Sequence, residues 1–110
     1  MVDFDSLQVQ IHKTAVEKGW WNEKRTVGDI IALIHSELSE ALEEYRHGHD
    51  IREVYYNDTT TPRGFPIELA DTIIRILDYC GEEDIDINAA LLTKVAYNTT
   101  RPYRHGGKII

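Results

Sequence analysis

Between Val27 and Tyr45, apolar side chains recur every three or four residues: Val27, Ile30, Ile31, Ile34, Leu38, Ala41 and Tyr45. That period is the α-helix's own and fits no strand. Thr26 is placed to cap this helix, Asp29 is a weak capping-box partner three residues on, and the pattern ends near His47-Gly48. Three further segments share the period. One runs from about Phe4 to Lys18 through Leu7, Ile11 and Ala15, and stops at Gly19. Another spans about Pro66 to Cys80, with Phe65, Leu69, Ile73, Ile76 and Cys80 on its apolar side and Gly81 closing it. The last starts at an Asp86 cap and reaches about Arg101, where Pro102 blocks continuation. Residues 51–62 read as a connecting loop, and Tyr103 to Lys108 as an irregular tail. Within 110 residues this predicts one all-α domain, 1–110, of four-helix-bundle type. So short a chain buries only a modest core, so apolar residues on more than one helix face predict oligomerisation through those faces.

Composition narrows the function classes. The chain carries a net charge of −7, which disfavours general nucleic-acid binding. Its single cysteine, Cys80, forms no internal disulfide and builds no cysteine-rich zinc site. No apolar run reaches the ~20 residues needed to span a bilayer. Met1-Val2-Asp3-Phe4-Asp5 lacks the basic start and apolar stretch of a secretion signal. A cytoplasmic location without membrane partners is therefore expected. The charge is also sorted along the chain: residues 1–93 hold every acidic side chain and net −11, while residues 94–110 hold +4.

Where the acids fall matters more than their number. Glu37, Glu40 and Glu44 line one flank of the second helix's apolar stripe, and Glu37 sits beside Ile34 and Ala41. On the third helix, Glu68, Asp71, Arg75 and Asp78 share a strip bordering the apolar side. Two helices thus each offer a carboxylate pair, Glu37-x-x-Glu40 and Glu68-x-x-Asp71. Four carboxylates converging at a helix interface repel one another strongly unless a cation sits between them. Hard oxygen ligands suit Mg²⁺, with Mn²⁺ as the alternative. The plainer reading is a pair of solvated acidic faces, with Arg75 bridging Asp71 or Asp78.

The fourth helix carries Lys94, Asn98 and Arg101 at i, i+4 and i+7, inside a ~60° sector. Arg104, His105 and Lys108 follow around Gly106-Gly107. Lysine, amide and arginine on one face suit phosphate oxygens. A basic helix end that complements the helix dipole explains Arg101 and Arg104 equally well, but explains Lys94 less well.

Taken in order, Glu37-x-x-Glu40, Glu68-x-x-Asp71 and Lys94-x-x-x-Asn98-x-x-Arg101 with the following Pro102-to-Lys108 stretch resemble the MazG-like all-α nucleoside triphosphate pyrophosphohydrolases. The resemblance spans about Val27 to Lys108. It implies Mg²⁺-dependent hydrolysis of an NTP or dNTP to the monophosphate and pyrophosphate. It also implies a homodimer or homotetramer whose neighbouring subunits help form each site. Glu37, Glu40, Glu68 and Asp71 would hold metal, and Lys94, Asn98, Arg101 and Arg104 would bind phosphate. Glu40 or Glu37, beside the metal, would orient or deprotonate the attacking water. Trp20, Trp21 and Asn22 are the candidates for recognising the base, the tryptophans by stacking and the asparagine at an edge. Core or interface filling is the competing role for the tryptophans. His35 reads as a surface histidine.

Two other classes compete. A di-iron carboxylate bundle would use Glu44-x-x-His47, but it needs a second Glu-x-x-His, and the chain has none. A non-catalytic helical dimerisation module would leave both acid pairs solvated and tolerant of alanine.

Overall fold

The computed structural model describes residues 3–110; Met1 and Val2, at the head of the N-terminal stretch, lie outside it. In chain order the elements are α1 (Phe4–Glu17), α2 (Val27–Arg46), β1 (Tyr55–Tyr56), β2 (Pro62–Arg63), α3 (Phe65–Glu82), α4 (Ile87–Thr100) and α5 (Arg104–Gly107). The chain is mostly helical, as its periodicity predicts. No helix among the described residues is long and apolar enough to cross a membrane.

Side-chain caps set the helix starts. Asp3 accepts the Ser6 amide at 2.7 Å, the Thr26 hydroxyl accepts the Asp29 amide at 3.1 Å, and Asp86 accepts the Ala89 amide at 2.9 Å. Past α1 and α2 the chain turns at Gly19 (φ +87°) and Gly48 (φ +89°), in the left-handed region glycine adopts without strain.

α3 is the centre of the molecule, packed on α1 and α2, while the helix that α4 packs on is α1. α2 and α3 run antiparallel: Glu37 meets Arg75 midway, while Ile30 and Leu33 share a cleft with Asp78 near the other end of α3. Among the described residues the buried apolar side chains are Ile30, Ala41, Leu77 and Cys80. Burial pushes the Cys80 thiol above its ordinary pKa, so it packs as an inert apolar group.

That core is thin because much of the predicted apolar surface stays open. Ile31, Leu38, Leu42 and Tyr45 on α2, and Leu69 and Ile73 on α3, are all 40–61% exposed. The angular order of residues in an antiparallel pair puts both stripes on the side of the α2–α3 hairpin away from α1.

Three expectations need correction. Gly81 does not close α3, which continues to Glu82. Its role is close approach: a β-carbon at Gly81 would lie 2.7 Å from Cβ of His12 on α1, too near for any side chain. Residues 51–62 are not simply a loop. Tyr55 and Tyr56 pair antiparallel with Arg63 and Pro62, and Asp58 holds the turn by accepting the amides of Thr60 (2.8 Å) and Thr61 (2.7 Å). The tail is not wholly irregular, since Arg104–Gly107 makes one helical turn with left-handed residues inside it.

Candidate metal centre and adjoining cleft

Packing α2 against α3 brings Glu37, Glu68 and Asp71 together, with one carboxylate oxygen from each lying within 4.8 Å of the others. The reason is local. Glu37 sits on the inward flank of α2, Glu68 in the first turn of α3, and Asp71 one turn on along the same strip. Each side chain is half-buried, so water screens the mutual repulsion incompletely. Glu68 shows the consequence. Its pKa is pushed up to about 7 by burial first, then by the charges of Asp71, Glu37 and Glu40. Asp71 is raised by burial and by Glu37, against an opposing pull from Arg75.

Arg75 donates from Nε to the Glu37 carboxylate at 2.7 Å, across the helix interface. The bridge to Asp71 or Asp78 considered from sequence is not the one that forms. Glu40 is exposed and stands at the rim, outside the three-carboxylate group but near enough for its charge to act on Glu68.

From this cluster a cleft of about 340 Å³ runs between α1, the α1–α2 connection, α2 and α3. Glu37 and Asp71 line one end, and Trp20, Trp21 and Arg25 line it as well. The two tryptophans named from sequence therefore share a cavity with two of the named carboxylates. They are not equivalent. Trp20 is 58% exposed, with the Arg25 guanidinium 5.6 Å from its ring centroid. Trp21 is half-buried, and its indole N–H donates to both oxygens of Asp78, at 3.0 and 3.1 Å. Asn22 does not line the cleft; it is exposed, and its amide closes a turn on the Gly19 carbonyl at 3.2 Å.

The basic residues lie elsewhere. Lys94 and Asn98 are exposed on α4, and Arg101 is half-buried just past its end. Lys94 and Arg101 flank the Tyr97 ring, 4.8 and 5.6 Å from its centroid, and Arg104 lies over Tyr103. α4 packs on α1 rather than beside the carboxylates on α2 and α3, so the acidic and basic groups are not brought together within one chain. Among the described residues no other group of three His, Cys, Asp or Glu side chains converges as Glu37, Glu68 and Asp71 do.

Sequence reasoning missed four residues in the roles they take in the cleft: Lys18, Arg25, Arg75 and Asp78. Arg75 and Asp78 carried a local signal, their place on the acidic strip of α3, while Lys18 and Arg25 carried none. The Glu44-x-x-His47 pair is not preorganised for iron. Glu44 accepts the Tyr55 hydroxyl at 2.8 Å, while His47 is exposed at the end of α2 with Nδ1 2.7 Å from the Glu43 carbonyl oxygen.

A scan against protein-family models, a search of curated proteins and a search of solved structures each returned no match to this chain.

Proposed function

We propose that the chain is a Mg²⁺-dependent nucleoside triphosphate pyrophosphohydrolase of MazG-like type, acting in nucleotide-pool housecleaning. The observation that carries this reading is the convergence of Glu37, Glu68 and Asp71 at a cleft that also holds Trp20, Trp21 and Arg25. The donor set fits a hard divalent cation. All three ligands are carboxylate oxygens from rigid helices; burial first, and then the charges of Asp71, Glu37 and Glu40, raise Glu68, and a cation among them would relieve that repulsion. When bound, Mg²⁺ supplies charge neutralisation on the phosphates and a water of lowered pKa. Mn²⁺ would serve the same donors.

The chain's own residues divide the remaining work. Glu37, Glu68 and Asp71 hold the ion, and Arg75 fixes Glu37 in place. A water oxygen attacks the α-phosphorus, the bridging P–O bond to pyrophosphate breaks, and pyrophosphate leaves with the bonding electrons. The water's proton passes to a carboxylate beside the ion, Glu40 at the rim or Glu37 within the cluster. Lys94, Asn98, Arg101 and Arg104 grip the outgoing phosphates from a neighbouring copy. What supports assembly is the open apolar side of the α2–α3 hairpin, which a second hairpin would cover to complete a four-helix bundle in a homodimer or a dimer of dimers.

The test is a panel of NTPs and dNTPs with Mg²⁺, reading pyrophosphate release. Turnover of at least one nucleotide is expected, with Asp71→Asn lowering kcat/KM by about 100-fold or more while the helical signal is unchanged. Folded, oligomeric protein that releases pyrophosphate from no nucleotide overturns the reading. The open apolar side also suits a non-catalytic dimerisation module, and that outcome would favour it.

A further inference from the structure

The carboxylate cluster accounts for one end of the cleft and leaves the other without a role. Glu37 and Ile30, which both line the cleft, are two helical turns apart on α2, so its ends are separated by about 10 Å. A nucleotide whose phosphates lie at Glu37 and Asp71 reaches that far with its base. At the far end stands Asp78, with only 18% of its side chain exposed. Trp21 donates to both its oxygens, and its Oδ1 also lies 2.9 Å from His12 Nδ1. This contact set ties the α3 carboxylate to α1 and to the α1–α2 connection at once. A carboxylate offers about four acceptor positions; Oδ1 is engaged by both His12 and Trp21 and Oδ2 by Trp21 alone, so a residue that lines the cleft keeps acceptor capacity on Oδ2.

We infer that Asp78 is the specificity-determining residue of a nucleobase pocket, and that it selects a base carrying an exocyclic amino group, cytosine before uracil or thymine. The inference rests on the proposed nucleotide reading. An ionised carboxylate accepts the amino N–H of cytosine and repels the carbonyl oxygen that uracil presents at the same position. Arg25 and Lys18 line the cleft as well and are the donors that the neighbouring ring nitrogen and carbonyl oxygen of cytosine need. Trp20, with its exposed face, stacks on the ring. Asp78 is a positioning group for the base and touches no reacting atom.

The experiment pairs binding with turnover. Quenching of tryptophan fluorescence by dCMP and dUMP is measured without metal, and kcat/KM for dCTP and dUTP with Mg²⁺, in the wild type and in Asp78→Asn. A preference for the cytosine nucleotide of about tenfold or more is expected in both readouts, falling to within about twofold in Asp78→Asn. His12→Gln, which removes one partner of Asp78 and leaves its charge, should keep the preference. Equal use of dCTP and dUTP by the wild type overturns the inference while leaving the hydrolase reading intact. A preference that survives Asp78→Asn makes Asp78 a purely structural anchor and equally overturns it. Protein that neither binds nor hydrolyses any nucleotide ends both readings.

Discussion

Two charged regions of opposite sign behave differently in this molecule. The acids of α2 and α3 are forced together because their helices bury a shared seam, and Glu37, Glu68 and Asp71 have nowhere to go but toward one another. The basic residues of α4 are held by no such seam: α4 packs chiefly on α1 and buries none of its side chains. The first region is preorganised, and its burial, together with the crowding of like charges, is written into the raised pKa of Glu68. The second is an exposed surface. A site built from both must be assembled between chains, and the open stripe of Ile31, Leu38, Leu42 and Tyr45 is where assembly would gain most from burial.

Subunit mixing breaks this comparison most directly. Glu68→Gln removes a proposed metal ligand, and Arg101→Ala a proposed phosphate contact. Each variant alone should lose turnover, by about 100-fold and about tenfold or more respectively. If α4 acts across the interface, an equal mixture forms hybrid dimers in which one of the two sites carries every wild-type group. Pyrophosphate release in the mixture should then return to about a quarter of the wild-type rate. Activity no higher than the mean of the two variants would mean that α4 serves its own chain or does not serve the site at all.

A smaller effect probes the surface that would join the copies. Leu38→Glu places a charge in the middle of the open α2 stripe, where the side chain is 49% exposed. In an isolated chain this should change stability by less than ~1 kcal/mol, as exposed substitutions do. In an assembled protein it buries an unpaired carboxylate, and sedimentation or light scattering should show a shift to monomer with loss of turnover. A variant that stays assembled and active would move the interface elsewhere.

Much of this contrast was legible in the sequence, and what was not has a physical reason. The caps at Thr26 and Asp86 are local signals, readable because the hydroxyl or carboxylate and the amide it accepts lie three residues apart. The carboxylate pairs were readable because helical spacing fixes which face they share. Gly81 was misread because a glycine near the end of a helical pattern looks alike whether it stops the helix or admits a neighbouring one. Its contact with His12 spans most of the chain. Asp78 was readable as a member of the acidic strip, but its role was not, for the same reason: its partners Trp21 and His12 lie 57 and 66 residues away, and nothing near Asp78 announces them. The exposure of Leu69 and Ile73 was unreadable in a different way. Periodicity marks a residue as apolar-facing, but not whether its own chain supplies the cover.

The most delicate comparison is between the acidic cluster with its charge and the same cluster without it, and pH makes it. Glu68 ionises near 4.5 in the unfolded chain and at about 7 in the folded one, so between those values the folded state holds a proton that the unfolded state has lost. The cluster's drag on stability is therefore absent below pH 4.5, grows as pH rises through that window, and is complete above about 7. Asp71, raised for the same reasons, pulls the same way. Asp58 runs opposite: its carboxylate is held down to about 2 by the amides of Thr60 and Thr61, so its contribution is lost only in stronger acid. Thermal melts from pH 5 to 8 in EDTA should thus show a wild-type Tm that declines with pH by a few °C relative to Glu68→Gln. That difference subtracts the histidines, which both proteins share. Adding Mg²⁺ should raise the wild-type Tm most at the alkaline end, where the ligands are already deprotonated, and leave Glu68→Gln nearly unmoved. A wild-type curve parallel to that of Glu68→Gln, with no response to Mg²⁺, would mean that the three carboxylates are a solvated face and not a metal centre.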